Sequence, residues 1–136
     1  MHNVTSKFPD LNVLVVDDYI VNQKLTEAIL ELLECNVEVV SSGSEAIDLY
    51  KKNDFNAIIL DILMDDVDGY EVTKQIRKLE KNKHPVKIIA LTANASDKDK
   101  KKCLKAGMDD YIAKPIKGEE IETVLHKFFP DKAESA

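Results

Sequence analysis

The feature that most constrains this chain is a set of short apolar runs separated by stretches of helical spacing. The runs are Leu11-Asn12-Val13-Leu14-Val15-Val16, Val37-Glu38-Val39-Val40, Ala57-Ile58-Ile59-Leu60, Val86-Lys87-Ile88-Ile89-Ala90-Leu91 and Tyr111-Ile112-Ala113. Most do not alternate with polar residues, the pattern of strands buried on both faces of a parallel sheet. Between them, apolar residues recur at helical intervals. Val21, Leu25, Ala28, Ile29 and Leu32 mark the first helix and its expected inner face. Val72, Ile76 and Leu79 mark the third, and Ile121, Val124, Leu125 and Phe128 the last. Ser42 with Glu45 forms a capping box for the second helix. Ser96 is placed to open a lysine-rich fourth helix that Gly107 ends. Strand and helix alternate five times, which predicts a doubly wound α/β fold with helices on both faces of a five-stranded parallel sheet.

The polar residues fall at one end of these strands. Asp17 and Asp18 close the first, Asp61 the third and Thr92 the fourth, and Lys114 follows the fifth. In a parallel sheet these ends share one edge, where open α/β folds bind ligands. Three carboxylates there repel one another unless a cation intervenes, and hard oxygen donors of this kind suit Mg²⁺. Lys114 offers a compact charge for a phosphate oxygen, and Thr92 a hydroxyl. A carboxylate so surrounded can attack a phosphoryl group and form an aspartyl phosphate.

Bulk properties narrow the classes further. A chain of 136 residues is sized for one domain, and its net charge of −6 argues against general nucleic-acid binding. Cys35 and Cys103, each expected in a helix, form no metal or redox motif. There is no signal-peptide pattern and no apolar stretch near the roughly 18 residues of a membrane span, so a reducing cytoplasmic setting is expected. Asn3-Val4-Thr5 and Asn94-Ala95-Ser96 match a glycosylation triplet that is common by chance. Asp66-x-Asp68-Gly69 fails as a calcium loop, because Met64 and Gln75 fall where that loop needs acids. Asp65 and Asp66 read as a solvated loop edge. The run Lys98, Lys100, Lys101, Lys102 and Lys105 reads as a solvated face, with an acidic partner as the functional alternative. His2, His84 and His126 are scattered and suggest no site.

The pieces "VLVVDD", "ILDILM..VDG", "IIALTA" and "AGMDDYIAKPI" resemble, in order and spacing, the receiver domain of two-component response regulators. The resemblance implies a flavodoxin-like (βα)5 fold with strand order 2-1-3-4-5, spanning residues 11–129 between a flexible segment 1–10 and a tail 130–136. It implies a phosphorylation switch rather than an enzyme, with Asp61 as phosphoacceptor and Mg²⁺ held by Asp17, Asp18, Asp61 and the Leu63 carbonyl. Thr92 and Lys114 then assist phosphoryl transfer, Thr92 and Tyr111 form the switch pair, and Ala93 leaves room for the phosphoryl group. Two departures stand out: Asp65 replaces a usual proline, and Tyr19 replaces a smaller polar residue. Leu63 and Asn94 offer an attacking water little anchorage, which implies slow dephosphorylation. The implied partners are a histidine kinase or histidine phosphotransfer protein and, after phosphorylation, a second copy through the face of the fourth helix, fifth strand and fifth helix. No nucleic acid or membrane contact is expected. "VDDYIVNQKL" is similar to receivers of hybrid histidine kinases, so the chain reads as free-standing or as excised from one. The alternative is a Mg²⁺-dependent phosphohydrolase, which Leu63 disfavours because that chemistry wants a second acid there.

Overall fold

The computed structural model describes residues 6–64, 66–80, 85–93 and 96–135. The expectations placed on Asp65, Asn94, His2, His84 and Asn3-Val4-Thr5 lie outside the described residues. In chain order the elements are β1 Ser6–Lys7, β2 Asn12–Val16, α1 Ile20–Leu32, β3 Asn36–Val40, α2 Gly43–Lys52 and β4 Ala57–Asp61. They continue with α3 Gly69–Leu79, β5 Lys87–Thr92, α4 Asp97–Ala106, β6 Asp110–Ala113, α5 Gly118–Phe128, a 3₁₀ turn Pro130–Lys132 and β7 Glu134–Ser135.

The main sheet runs β3-β2-β4-β5-β6, every pair parallel. Counting only these five strands, that is the expected order 2-1-3-4-5. Although the runs read as continuously apolar, successive residues serve two different cores. Val13, Val15, Ala57, Ile59, Ile89 and Leu91 pack with Leu30, Ile121 and Leu125 on one face. Leu14, Val16, Ile58, Leu60, Ile88 and Ala90 pack with Ala46, Val72, Ile76 and Cys103 on the other.

Local chemistry sets the helix ends. The Ser42, Asp68 and Ser96 side chains each accept a backbone N–H three residues on, from Glu45, Glu71 and Asp99. Gly107 closes α4 at φ 105°, a left-handed conformation that suits glycine. On the far side of the sheet from the carboxylates, Arg77 donates to the Gly107 and Val86 carbonyls and pairs with Glu80 and Asp109. This network fastens α3 to the entries of β5 and β6.

Three expectations need correction. The inner face of α1 is Gln23, Thr26 and Leu30, with Ile29 half-buried. Val21, Leu25, Ala28 and Leu32 point outward with Ile20. The helix carries two apolar stripes, and periodicity alone does not say which one the sheet takes. Cys35 lies after α1, in the turn into β3. The two ends also carry structure: Phe8 is fully buried, and β1 pairs antiparallel with β7. Ser6 hydrogen-bonds His126, whose ring meets Phe8 edge-on at 5.3 Å between centroids.

Candidate functional site

The carboxyl ends of β2, β4 and β5 bring the expected residues together. Asp17, Asp18 and Asp61 each offer a carboxylate oxygen within 4.8 Å of the others. Asp17 and Asp61 are buried and Asp18 is exposed. Lys114, following β6, donates from Nζ to Asp61 Oδ1 at 3.1 Å, and the Leu63 N–H donates to the same oxygen at 3.3 Å. The Lys114–Pro115 peptide bond is cis. Thr92 ends β5, is buried, and its carbonyl accepts the Lys114 N–H at 2.8 Å.

The loop carrying Asp17 is held from beneath. Gln23, buried in α1, donates to the Asp17 carbonyl at 2.6 Å and to Ser41 Oγ at 3.0 Å. Asp17 Oδ1 accepts the Tyr19 N–H at 3.0 Å, while its buried Oδ2 has no hydrogen-bond partner. Burial pushes the Asp17 carboxyl above its ordinary range, and the Asp61 and Asp18 charges push the same way against the Tyr19 N–H and Lys114. An orphaned buried carboxylate oxygen beside two further acids is a donor set that fits a hard divalent cation. The residues present therefore fit Mg²⁺.

Close packing of Gly69 fixes the loop after β4. A Cβ at Gly69 would lie 2.8 Å from both the Asp61 carbonyl and Ile62 Cα, and its N–H donates to the Ile62 carbonyl at 2.8 Å. Asp66 is more than a solvated edge. It accepts from the Gly43 and Ser44 N–H groups and from the Ser44 hydroxyl, at 3.2, 3.1 and 3.0 Å. The loop is thereby tied to the start of α2.

A cleft of about 280 Å³ opens beside Asp61, bordered by Leu63, Thr92, Ala93, Lys114, Tyr70 and Lys102. Leu63 borders it with 73% of its surface exposed. Tyr111 does not line this cleft. It is half-buried on β6, packs against the second core and lies beneath the Lys100 ammonium at 5.7 Å. Sequence reasoning passed over Gln23, read Asp66 as a solvated loop edge and read Lys102 as part of a solvated face. Of the three, Gln23 left a signal, as a polar residue opposite an apolar stripe on α1.

The fold and this edge define an α/β domain with an acid cluster, a lysine and a hydroxyl at its strand ends. Comparison with known proteins supplies the family. The response regulator receiver domain matches residues 13–126, and the chain belongs to that family. It is 43% identical over 121 residues to hybrid signal transduction histidine kinase L of Dictyostelium discoideum. That match takes in 85% of this chain but only 7% of the kinase's length. Among solved structures it is similar to the co-crystal of the Saccharomyces cerevisiae histidine phosphotransfer signaling protein Ypd1 with the receiver domain of its downstream response regulator Ssk1. There the TM-score is 0.84 at 32% identity, with 89% of this chain and 90% of that chain covered. It is also similar to the receiver domain of sensor histidine kinase PA1611 from Pseudomonas aeruginosa, which has a magnesium ion coordinated in its active-site cleft. That match has a TM-score of 0.78 at 40% identity and covers 87% and 96% of the two chains. No described helix is long and apolar enough to cross a membrane.

Proposed function

We propose that this domain is a phosphorylation switch that accepts a phosphoryl group onto Asp61. The observation that carries the reading is the buried Asp61 carboxylate, 3.1 Å from Lys114 and clustered with Asp17 and Asp18. Lys114 and the Leu63 N–H both engage Oδ1, which leaves Oδ2 to attack phosphorus. The bond from phosphorus to the donor's imidazole nitrogen breaks as the bond to Oδ2 forms, and the imidazole keeps the electron pair. Asp17, Asp18, Asp61 and the Leu63 carbonyl would hold Mg²⁺, with Asp18 in direct contact and Asp17 acting through bound water. Bound there, the cation supplies charge for the phosphoryl oxygens. Lys114 holds a further oxygen, Thr92 donates its hydroxyl, and Ala93 leaves space.

We infer that the donor is a protein that seats a phosphohistidine over this cleft. The outward stripe Ile20, Val21, Leu25 and Leu32 follows the Asp18–Tyr19 turn, and Leu63 on the cleft's border is exposed as well. Such a patch marks a protein-docking surface, and the Ypd1–Ssk1 co-crystal gives a precedent for a histidine phosphotransfer partner. Two consequences belong to the same proposal: Tyr111 rearranges as Thr92 engages the phosphoryl group, and copies pair through α4, β6 and α5. A phosphohydrolase is disfavoured, because Leu63 is a hydrocarbon where a general acid would stand.

Incubation with phosphoramidate, with and without Mg²⁺, tests the reading by intact mass. One phosphoryl group is expected on the wild type only with Mg²⁺, and none on Asp61→Asn. Full labelling of the variant would overturn the assignment.

A further inference from the structure

Lys102 has no role in the reading above, yet it borders the same cleft as Asp61, Thr92 and Lys114. It lies on the α4 face that also carries Asp99, three residues earlier. Its ammonium sits 4.6 Å from the centroid of the Tyr70 ring, and among the described residues it pairs with no carboxylate. Asp99, the acid nearest along α4, is engaged with the Ser96 hydroxyl at 2.9 Å in the cap of the helix. Burial first, and then the neighbouring Cys103, push the Tyr70 hydroxyl up to about 12, so it stays neutral. Lys102 is exposed and Tyr70 half-buried, and an exposed ammonium on an aromatic face is held by only about 0.5–1 kcal/mol, so it exchanges readily for an anion.

The charge of the loaded site calls for such an anchor. Asp61 gives up its own charge on forming the acyl phosphate, while the phosphoryl group brings two. With Asp17, Asp18, Lys114 and one divalent cation counted, the centre is left one negative charge from neutrality. Lys102 is the other lysine on the cleft's border, and among the described residues it has no carboxylate partner. α4 itself is lightly anchored, with Cys103 its one buried residue, so a pull on Lys102 is transmitted to the helix.

We propose that Lys102 is a second cationic contact for the phosphoryl group, parked on Tyr70 in the resting domain and moved onto a phosphoryl oxygen on loading. This rests on Asp61 being the acceptor. The contact forms on the cleft side away from the acid cluster, so it positions the incoming phosphodonor and links occupancy to α4.

The test is Mg²⁺-dependent labelling by acetyl phosphate across a range of donor concentrations. Lys102→Met is expected to raise the half-saturating concentration roughly fivefold, the scale of a charge-assisted hydrogen bond from an exposed arm. Lys102→Arg should restore it, and Lys101→Met, on the exposed side of α4, should match the wild type. In parallel, the upfield ring-current shift of the Lys102 side-chain methylenes over Tyr70 should disappear when beryllofluoride and Mg²⁺ fill the site. Unchanged half-saturation in Lys102→Met, or a shift that persists in the filled site, overturns the proposal. If the wild type takes no label at all, the reading of Asp61 fails instead, so the two failures are distinct.

Discussion

At the scale of single residues, the acids at this edge differ in what they do, and each difference predicts a behaviour. Asp66 is held down to about 2 from an ordinary 3.8, first by the Val67 N–H and then by the bonds at Ser44 and Gly43. A lowered folded pKa means that its contribution is complete above the ordinary value and is lost as pH falls through the window from about 4 to about 2. Asp66→Asn should therefore flatten the acid limb of thermal stability by lowering stability at neutral pH and leaving it unchanged near pH 2, a small effect since the group is exposed. Equal acid limbs for variant and wild type would contradict this. Asp17 is the opposite case. Its buried carboxylate is destabilised by burial and by its acidic neighbours, so Asp17→Asn should raise the melting temperature without metal and shrink the gain from added Mg²⁺. A lower melting temperature in metal-free buffer would show that the repulsion is met some other way. The convergence of Asp17 and Asp61 at this edge was legible because acids at the ends of apolar strands have few bland explanations. Asp66 was not, because a loop carboxylate reaching N–H groups 22 and 23 residues away leaves no local pattern.

At the scale of elements, α1 carries the main lesson. Its apolar positions 21, 25, 28 and 32 form a good helical stripe, and such a stripe usually meets the core. The sheet instead takes Gln23, Thr26 and Leu30, with Gln23 spent on the Asp17 carbonyl and Ser41. The requirement to hold that loop is tertiary, so nothing in the helix's own sequence announces it. The two faces should respond differently to mutation. Leu30→Ala is expected to cost about 2–5 kcal/mol as a buried truncation. Val21→Ser with Leu25→Ser should stay within about 1 kcal/mol, because exposed sites contribute little. The same pair should slow transfer from a phosphorylated phosphotransfer protein while leaving labelling by acetyl phosphate intact. Loss of both activities, or of neither, would remove α1 from the docking surface. The ends of α2 and α4 were readable because their caps are written locally, as Ser42, Ser96 and Gly107 show.

At the scale of the whole molecule, the topology does the assembling. Parallel strands place the ends of β2, β4 and β5 and the start of the loop after β6 on one edge. Four distant stretches of chain thereby build one site, with Asp61 and Lys114 brought to 3.1 Å. That convergence follows from the alternation of strands and helices, which is why the candidate site is legible in the sequence. The opposite edge was not. There β1 and β7 join the two ends of the domain, with Phe8 buried beneath them. Two-residue strands fall below what periodicity can register. Phe8→Ala is expected to cost about 3–5 kcal/mol, measured by denaturant unfolding, while leaving Mg²⁺-dependent labelling of the folded fraction unchanged. A cost near zero would mean that the end-to-end packing is dispensable.

The central claim is that a phosphoryl group passes from a phosphohistidine to Asp61. The most direct measurement mixes the domain and Mg²⁺ with a phosphorylated histidine phosphotransfer protein, traps the product by borohydride reduction and maps the modified peptide. The account predicts reduction at Asp61 alone, to homoserine, in the peptide spanning β4 and the loop after it, with no product from Asp61→Asn. A trapped residue elsewhere in the chain, or transfer that survives in Asp61→Asn, would contradict it.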